Sequence, residues 1–352
     1  NIYYPLNHAL EWKLARWAKV SKISATALTE LLSIEGVVQK LELSFTSANE
    51  LNELIDQLPS RPKFQREEIE LGGETFEVYF RDVLECVKAL FGDPTLAPHM
   101  VFAPELHYLD ASKQTRAFHD MHTGDWWWAT QALIEVDCGQ DSRTIIPILI
   151  STDKTQLTLF RNKAAYPIYL TIGNIPKEIR RKPSARGYVL LGYLPTSRLE
   201  HITEDASRRR CLANLYHTSM HCIFSLLKKP GCKGTKIRSG NGGLYRTHPI
   251  LAGFCGDYPE QVLATCTLTG DCPQCPVDKA RLGELVLPEG LRDVSIMSDL
   301  ISRPDTTLST YHTHRLKPVL EPFWKDLPYV HIYRSIVPDV LHQLYQGVMK
   351  HL

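Results

Sequence analysis

Apolar and polar positions change rhythm twice along the chain. Over residues 1 to about 60, apolar side chains recur three and four apart in NHALEWKLARWAKV, SATALTELLSI and SANELNELIDQL. That spacing lines one face of a helix, and the second segment opens on a Ser/Thr start suited to capping. SRPKFQ breaks the pattern, and EEIELGGETFEVYF follows as two short alternating runs around Gly72-Gly73, the signature of a hairpin. RDVLECVKALFG returns to helical spacing and closes on a glycine. Residues 93–125 are irregular and rich in Pro, His and Asp, and they lead into GDWWW. Neither helix nor strand turns three consecutive side chains to one side, so of Trp126–Trp128 we expect two packed rings and one at a surface or seam. Base stacking is the alternative use of such rings.

From residue 144 the pattern becomes that of a sheet. In TIIPILISTDKTQLTLF, Ile145 to Ser151 are almost wholly apolar, and a carboxylate then appears at Asp153. We predict strands at 144–152, 155–160, 165–173 and 187–195, a long helix over 205–228, and a further strand at 245–257. The first and last of these strands each end at an aspartate, Asp153 and Asp257. A carboxylate just past a buried strand loses hydration unless it is paired, capped or bound to a cation. Asp153 can pair with Lys154 or begin a turn; Asp257 can cap a helix starting at Pro259. In a β-β-β-α-β order the first and fourth strands can lie side by side, which brings the two carboxylates together. Their repulsion is then relieved by divalent cations, and two such ions ~4 Å apart serve phosphodiester cleavage. That is the logic of an RNase H-like nucleotidyl-transferase core.

Composition adds limits. With 352 residues and 43% hydrophobic content the chain can bury a sizeable core over two or three structural units. A net charge of +1 carries no global nucleic-acid signature. Basic residues cluster locally in KEIRRKPSAR (177–186), RRR (208–210) and KKPGCKGTKIR (228–238), each of which alone reads as a solvated loop or helix end. No apolar run reaches the ~18 residues of a membrane span, and no signal-peptide pattern opens the chain. The sequence lacks an initial methionine and stops at GVMKHL inside a helical pattern, so we expect a piece of a longer protein. Nine cysteines with one tight pair suit a reducing compartment. Cys272 and Cys275, two apart in a turn, can grip Zn²⁺ if two further ligands join them, from among Cys266, His312, His314 and Asp339/His342. Cys255 and the other cysteines are expected to fill core space.

Longer stretches carry a resemblance. GDWWW, IPILISTDKTQLT, YPIYLTIGNIPKEIRRKPSARGYVLLGYLP, HPILAGFCGDYPEQVLATCTLTGDCPQCP, LKPVLEPFWKDLP and PDVLHQLYQGVMKHL are similar to the transposase of Plavaka elements, fungal DNA transposons related to the CACTA (En/Spm) group. The resemblance runs over nearly the whole chain. It implies a DDE/D transposase that uses Mg²⁺ (or Mn²⁺), acts on DNA in the nucleus as a homo-oligomer, and carries a cysteine-containing insertion before its last catalytic helix. Asp153 matches the first catalytic aspartate, Asp339 and His342 match an Asp-x-x-His signature, and Cys272 and Cys275 match the Cys-x-x-Cys. The second aspartate is Asp257 or the position held by Asn241 in SGNGG; if the latter, this copy has lost a metal ligand and is inactive, and the alternative function is that of a transposase-derived DNA-binding or structural protein. Asp257 is favoured because it ends a full-length strand. The third acidic residue is expected beyond Leu352. The expected organisation is α/β: a mostly helical region 1–140, an RNase H-like core over 141–262, a zinc-type insertion 263–330, and the truncated remainder of the core, 331–352. Arg180, Arg181 and Lys182 are the residues expected to meet DNA phosphates.

Overall fold

The amphipathic spacing at the start of the chain forms helices, at Ala9–Val20, Ala25–Ser33, Val37–Lys40 and Ala48–Asp56. The side chains of His8, Ser24 and Ser47 each accept a hydrogen bond from a backbone N–H in the first turn of the helix they precede, satisfying a donor that the helix itself leaves open. Their apolar faces meet around Leu28, Leu32, Phe45 and Leu51 in a core of their own. Glu11 lies fully buried beside it. The computed structural model describes residues 3–57, 62–139, 143–158, 163–281, 290–303 and 306–351, and it divides into two units, 1–63 and 64–352.

The second unit is built on a mixed sheet. Strands β1 (Phe64–Leu71) and β2 (Glu74–Arg81) form the hairpin. They turn through Gly72 and Gly73 at φ of 63° and 83°, a left-handed pair that glycine adopts without steric cost. β3 (Thr144–Thr152), β4 (Thr155–Gln156), β5 (Ala164–Ala165), β6 (Pro167–Ile172), β7 (Val189–Tyr193), β8 (Thr235–Arg238), β9 (Leu244–Cys255) and β10 (Ile336–Val337) follow. The sheet runs in the order β1-β2-β7-β6-β3-β9-β10, with β8 on β9; β4 and β5 make a separate small ribbon. β3, β6 and β7 are antiparallel neighbours, whereas β9 and β10 run parallel to β3. Three antiparallel strands, a long helix and then parallel strands are the RNase H-like arrangement.

Within the 1–140 region the predicted hairpin belongs to the sheet, with helices before and after it. The hairpin pairs with β7, and Phe76, Val78 and Phe80, alternating along β2, bury into the same core as β3. Period-two apolar residues must find a sheet partner, and the core's own edge supplies it. Two strands were not anticipated, β8 and β10. Two residues of pairing, as in β10, leave no periodic trace in a sequence.

β3 is covered on both faces. Ile146, Ile148 and Ile150 join the main core with Val87 and Phe91 of helix Val83–Phe91 and with Met220 and Phe224 of helix Asp205–Phe224. Ile145 packs instead with Trp127 and Ile134 of helix Asp125–Cys138 and with Ile250 of β9. Each such side chain contributes about 1.5–3 kcal/mol by leaving water, so the strand is held rigidly up to its end. Of the three tryptophans, Trp127 is fully buried, Trp126 packs at the edge of this cluster and Trp128 is exposed, as expected of consecutive helical positions.

Candidate active site

The parallel strands decide where the acidic residues go. Ser151 of β3 is level with Cys255 of β9, and Cys255 is level with Val337 of β10. Asp153, Asp257 and Asp339 each stand two residues beyond that line. Three adjacent strands therefore end together, and all three aspartates line one cleft of about 320 Å³, with His342 on its wall. The cleft lies outside the carboxyl ends of parallel strands, where backbone direction alone makes room for loops and ligands.

Each carboxylate is held differently. Asp153 is exposed on the turn after β3. Asp257 caps helix Tyr258–Ala264, its Oδ1 accepting from the Glu260 N–H at 3.0 Å; the capping and cleft-lining roles coexist. Gly256 makes this closure possible, since a Cβ there would stand 2.7 Å from Glu260 Cβ. Asp339 Oδ1 accepts from the Leu341 N–H at 3.0 Å and Oδ2 pairs with His342 Nδ1. Partial burial pushes the Asp339 carboxyl up, but the His342 contact and the backbone bonds hold it below the usual carboxylate value. His342 is raised above its ordinary value, first by its bond to Asp339 and further by the charges of Asp257 and Asp153.

Behind the cleft sits a buried acid that sequence reasoning missed. Glu260 is 8% exposed, accepting from the Thr152 hydroxyl at 2.8 Å and the Tyr166 hydroxyl at 2.6 Å. Burial raises its pKa, these bonds oppose the rise, and Asp257 and Asp153 add to it. Burial also lifts the Tyr166 phenol well above its usual value. The available signal was the Asp-x-x-Glu spacing from Asp257, which puts an acid in the first helical turn against the strand end.

Asn241 lies at the opposite end of β9, in the turn between β8 and β9, its side chain accepting from the Gly243 N–H and donating to Tyr245 Oη. The 12 residues of β9 separate it from the cleft, roughly 36 Å at about 3.3 Å per residue.

A model of the Plavaka transposase family matches residues 45–352. The chain belongs to the Plavaka transposase family. No curated protein matches it. The match takes in every strand of the sheet and the whole acidic cleft, and the family places the chain among proteins that act on DNA. Among the described residues no helix is long and apolar enough to cross a membrane.

The cysteines and histidines stand as follows in this member of the family. Cys272 Sγ accepts from the N–H groups of Gln274 and Cys275 at 3.4 Å each, so the pair shares one turn. Among the described residues no third His, Cys, Asp or Glu gathers with it. Cys266 is fully buried, with its sulfur 3.4 Å from His217 Nε2; burial pushes His217 down to about 3 and Cys266 far up, a neutral core contact. Asp339 and His342 belong to the acidic cleft, and His312 and His314 are exposed at helix Leu308–Thr313 and just past it.

The basic triplet also divides. Arg180 is largely buried, donating to the Ile175 carbonyl at 3.0 Å and reaching Asp120 at 3.7 Å. Its guanidinium is engaged by these acceptors within the fold. Arg181 and Lys182 are exposed, Arg181 beside Glu178. In the tri-arginine, Arg208 and Arg210 bond back to the first turn of their own helix and its cap, Asp205, Ser207 and Glu204.

Proposed function

We propose that this cleft cleaves and joins DNA phosphodiester bonds at transposon ends, by hydrolytic nicking followed by strand transfer in which a DNA 3′-OH is the nucleophile. The observation that carries the reading is the common level of Asp153, Asp257 and Asp339 at the ends of β3, β9 and β10. Carboxylate oxygens lining one open cleft are the donor type a hard divalent cation takes. Because the three do not all stand within 4.8 Å of one another in this structure, an ion would have to draw them together. Asp153 and Asp257, with Asp339 beside them, would hold Mg²⁺ or Mn²⁺. Bound there, such ions supply charge neutralisation at the phosphate and activation of the attacking oxygen.

The chain's own residues do the positioning. The Glu260 N–H fixes one oxygen of Asp257 and so orients its carboxylate. His342, its pKa raised by Asp339, stays cationic to higher pH than a free imidazole and lowers the repulsion a phosphate meets beside three acids. Arg181 and Lys182, both exposed, would contact phosphates without reading sequence. Asn241, remote from the cleft, supports Asp257 over position 241 as the second metal-holding aspartate. In this reading the protein works in the nucleus, as a homo-oligomer on DNA.

The test uses the full-length protein and a duplex carrying the element's terminal repeat and flank, with Mg²⁺ or Mn²⁺. Nicked and joined products that vanish in Asp153→Asn and Asp257→Asn are expected. Products formed equally well by both variants would overturn the assignment. DNA binding without products from the parent chain would favour an inactive, DNA-binding descendant.

A further inference from the structure

The irregular stretch between helix Val83–Phe91 and helix Asp125–Cys138 holds a second cluster of titratable groups, outside the cleft. His107, His119 and His122 each offer a ring nitrogen, and these three atoms lie within 4.8 Å of one another. His119 Nε2 and His107 Nδ1 are 2.9 Å apart. The ring centroids are 4.9, 5.8 and 5.5 Å apart pairwise. Among the described residues this is the one grouping of three or more His, Cys, Asp or Glu whose ligand atoms already lie within 4.8 Å of one another.

Backbone bonds, independent of the rings, build the cluster. The Ala117 N–H donates to the His107 carbonyl and the Glu105 N–H to the His122 carbonyl, each at 2.8 Å; Tyr108 and Arg116 bridge between them. The loop thus folds back on itself and stacks positions 107, 119 and 122 at its closed base. Asp120 anchors the same base, accepting from the Lys177 N–H at 2.7 Å and standing beside Arg180.

We infer that His107, His119 and His122 form a transition-metal site, with Zn²⁺ the ion its three imidazoles suit best and Glu105 as the group that orients His107. Imidazole nitrogens are ligands of choice for zinc at about 2.0–2.1 Å, which in a tetrahedron separates neighbouring nitrogens by ~3.3 Å. The 2.9 Å pair needs to open by only a few tenths of an ångström to admit the ion. Glu105 Oε2 lies 2.7 Å from His107 Nε2. A proton held on that nitrogen leaves Nδ1, the atom facing His119, with its lone pair, as in the carboxylate–histidine–metal relay. His122 is 7% exposed, and its Nδ1 is buried with no hydrogen-bond partner, a cost that ligation or a reorganised ring would remove. The ion would staple residues 105–122 at the foot of helix Asp125–Cys138, whose Trp127 and Ile134 cover Ile145 of β3 and Ile250 of β9. It is a structural site in this reading, distinct from the acidic cleft.

Metal-stripped full-length protein carrying Cys272→Ser and Cys275→Ser, which removes the thiolate pair, is titrated with Co²⁺ and then with Zn²⁺. One tightly bound Co²⁺ per chain is expected, with tetrahedral d–d bands, no thiolate charge-transfer band, and displacement by Zn²⁺. His119→Gln and His107→Gln, both at accessible rings, should each weaken binding by 100-fold or more while circular dichroism stays native. Glu105→Gln should weaken it about 10- to 100-fold. No stoichiometric Co²⁺ or Zn²⁺ in the folded Ser/Ser protein, or binding that the His variants leave unchanged, would overturn the site. If a His variant loses its fold, the Glu105→Gln affinity decides by the same criterion.

Discussion

Two buried glutamates, one in each unit, meet opposite fates. Glu11 in the helical unit is enclosed by donors: the N–H groups of Asn7 and Ser44 and the Ser44 hydroxyl all point at it. Burial pushes its pKa up, but the bonds outweigh burial and it lies below the ordinary 4.5. Glu260 in the sheet unit receives two hydroxyls and faces two other carboxylates, and burial wins, so its pKa is raised above 4.5. The first is a charged structural knot. The second is an acid that holds its proton more tightly than an ordinary glutamate, behind an acidic cleft. A glutamate's burial says little about its role until the donors around it are counted.

The comparison is broken most directly at the cleft. Asp153→Asn and Asp257→Asn should each cut cleavage by roughly a thousandfold or more, since several kcal/mol of charge stabilisation depends on the ions these groups would hold. The same Asp257→Asn should change stability by less than about 0.5 kcal/mol, because asparagine caps a helix nearly as well as aspartate. Pairing product assays with urea denaturation checks both; a large stability loss would make Asp257 mainly a cap.

Glu11→Ala comes next in size. It removes the acceptor of two part-buried N–H groups and a hydroxyl and should cost the helical unit about 2 kcal/mol, read as lost hydrogen-exchange protection confined to residues 3–57. Glu260→Gln, which keeps an acceptor for Tyr166 and Thr152, should cost less. If Glu260→Gln proved the more destructive, the contrast would be wrong.

The pH dependences should have opposite signs. Glu11, with a lowered folded pKa, contributes stability that is present above the ordinary 4.5 and lost as pH falls through its folded value. Glu260, with a raised folded pKa, binds its proton more tightly folded than unfolded, so stability falls as pH rises from 4.5 through its folded value. Exchange protection followed by unit across this range checks both slopes, and Glu11→Gln and Glu260→Gln should each flatten only its own.

The basic loop offers a smaller test. Arg181→Ala with Lys182→Ala should weaken binding to all DNA sequences alike and reduce the log–log salt slope by up to about 2. Arg180→Ala should instead lower stability by about 1–2 kcal/mol through its orphaned carbonyl partner. An unchanged salt slope in the double variant would return this loop to plain solvated surface. Smallest is a titration shift: by NMR the His342 ring should titrate above its ordinary 6.5, and Asp339→Asn should bring it back down. An unshifted ring would mean the pair is not formed in solution.

Local pattern determined much of this protein. Helical spacing at the start of the chain, the Gly72-Gly73 turn, the doubly buried run of β3 and the long strand leading to Asp257 were all legible, because each reflects burial periodicity within one element. Family motifs added Asp339 and His342 without saying where they lie. Only the tertiary structure decided the rest. The register across β3, β9 and β10 brought Asp339 level with Asp153 and Asp257; the sheet's edge recruited the hairpin; and Arg180 found acceptors within the fold at Ile175 and Asp120. His107, His119 and His122 belong with these, since a backbone fold-back that no periodicity announces brings their rings together. Periodicity reports which face of an element is dry, whereas a site is made where separate elements end, and only packing fixes those distances.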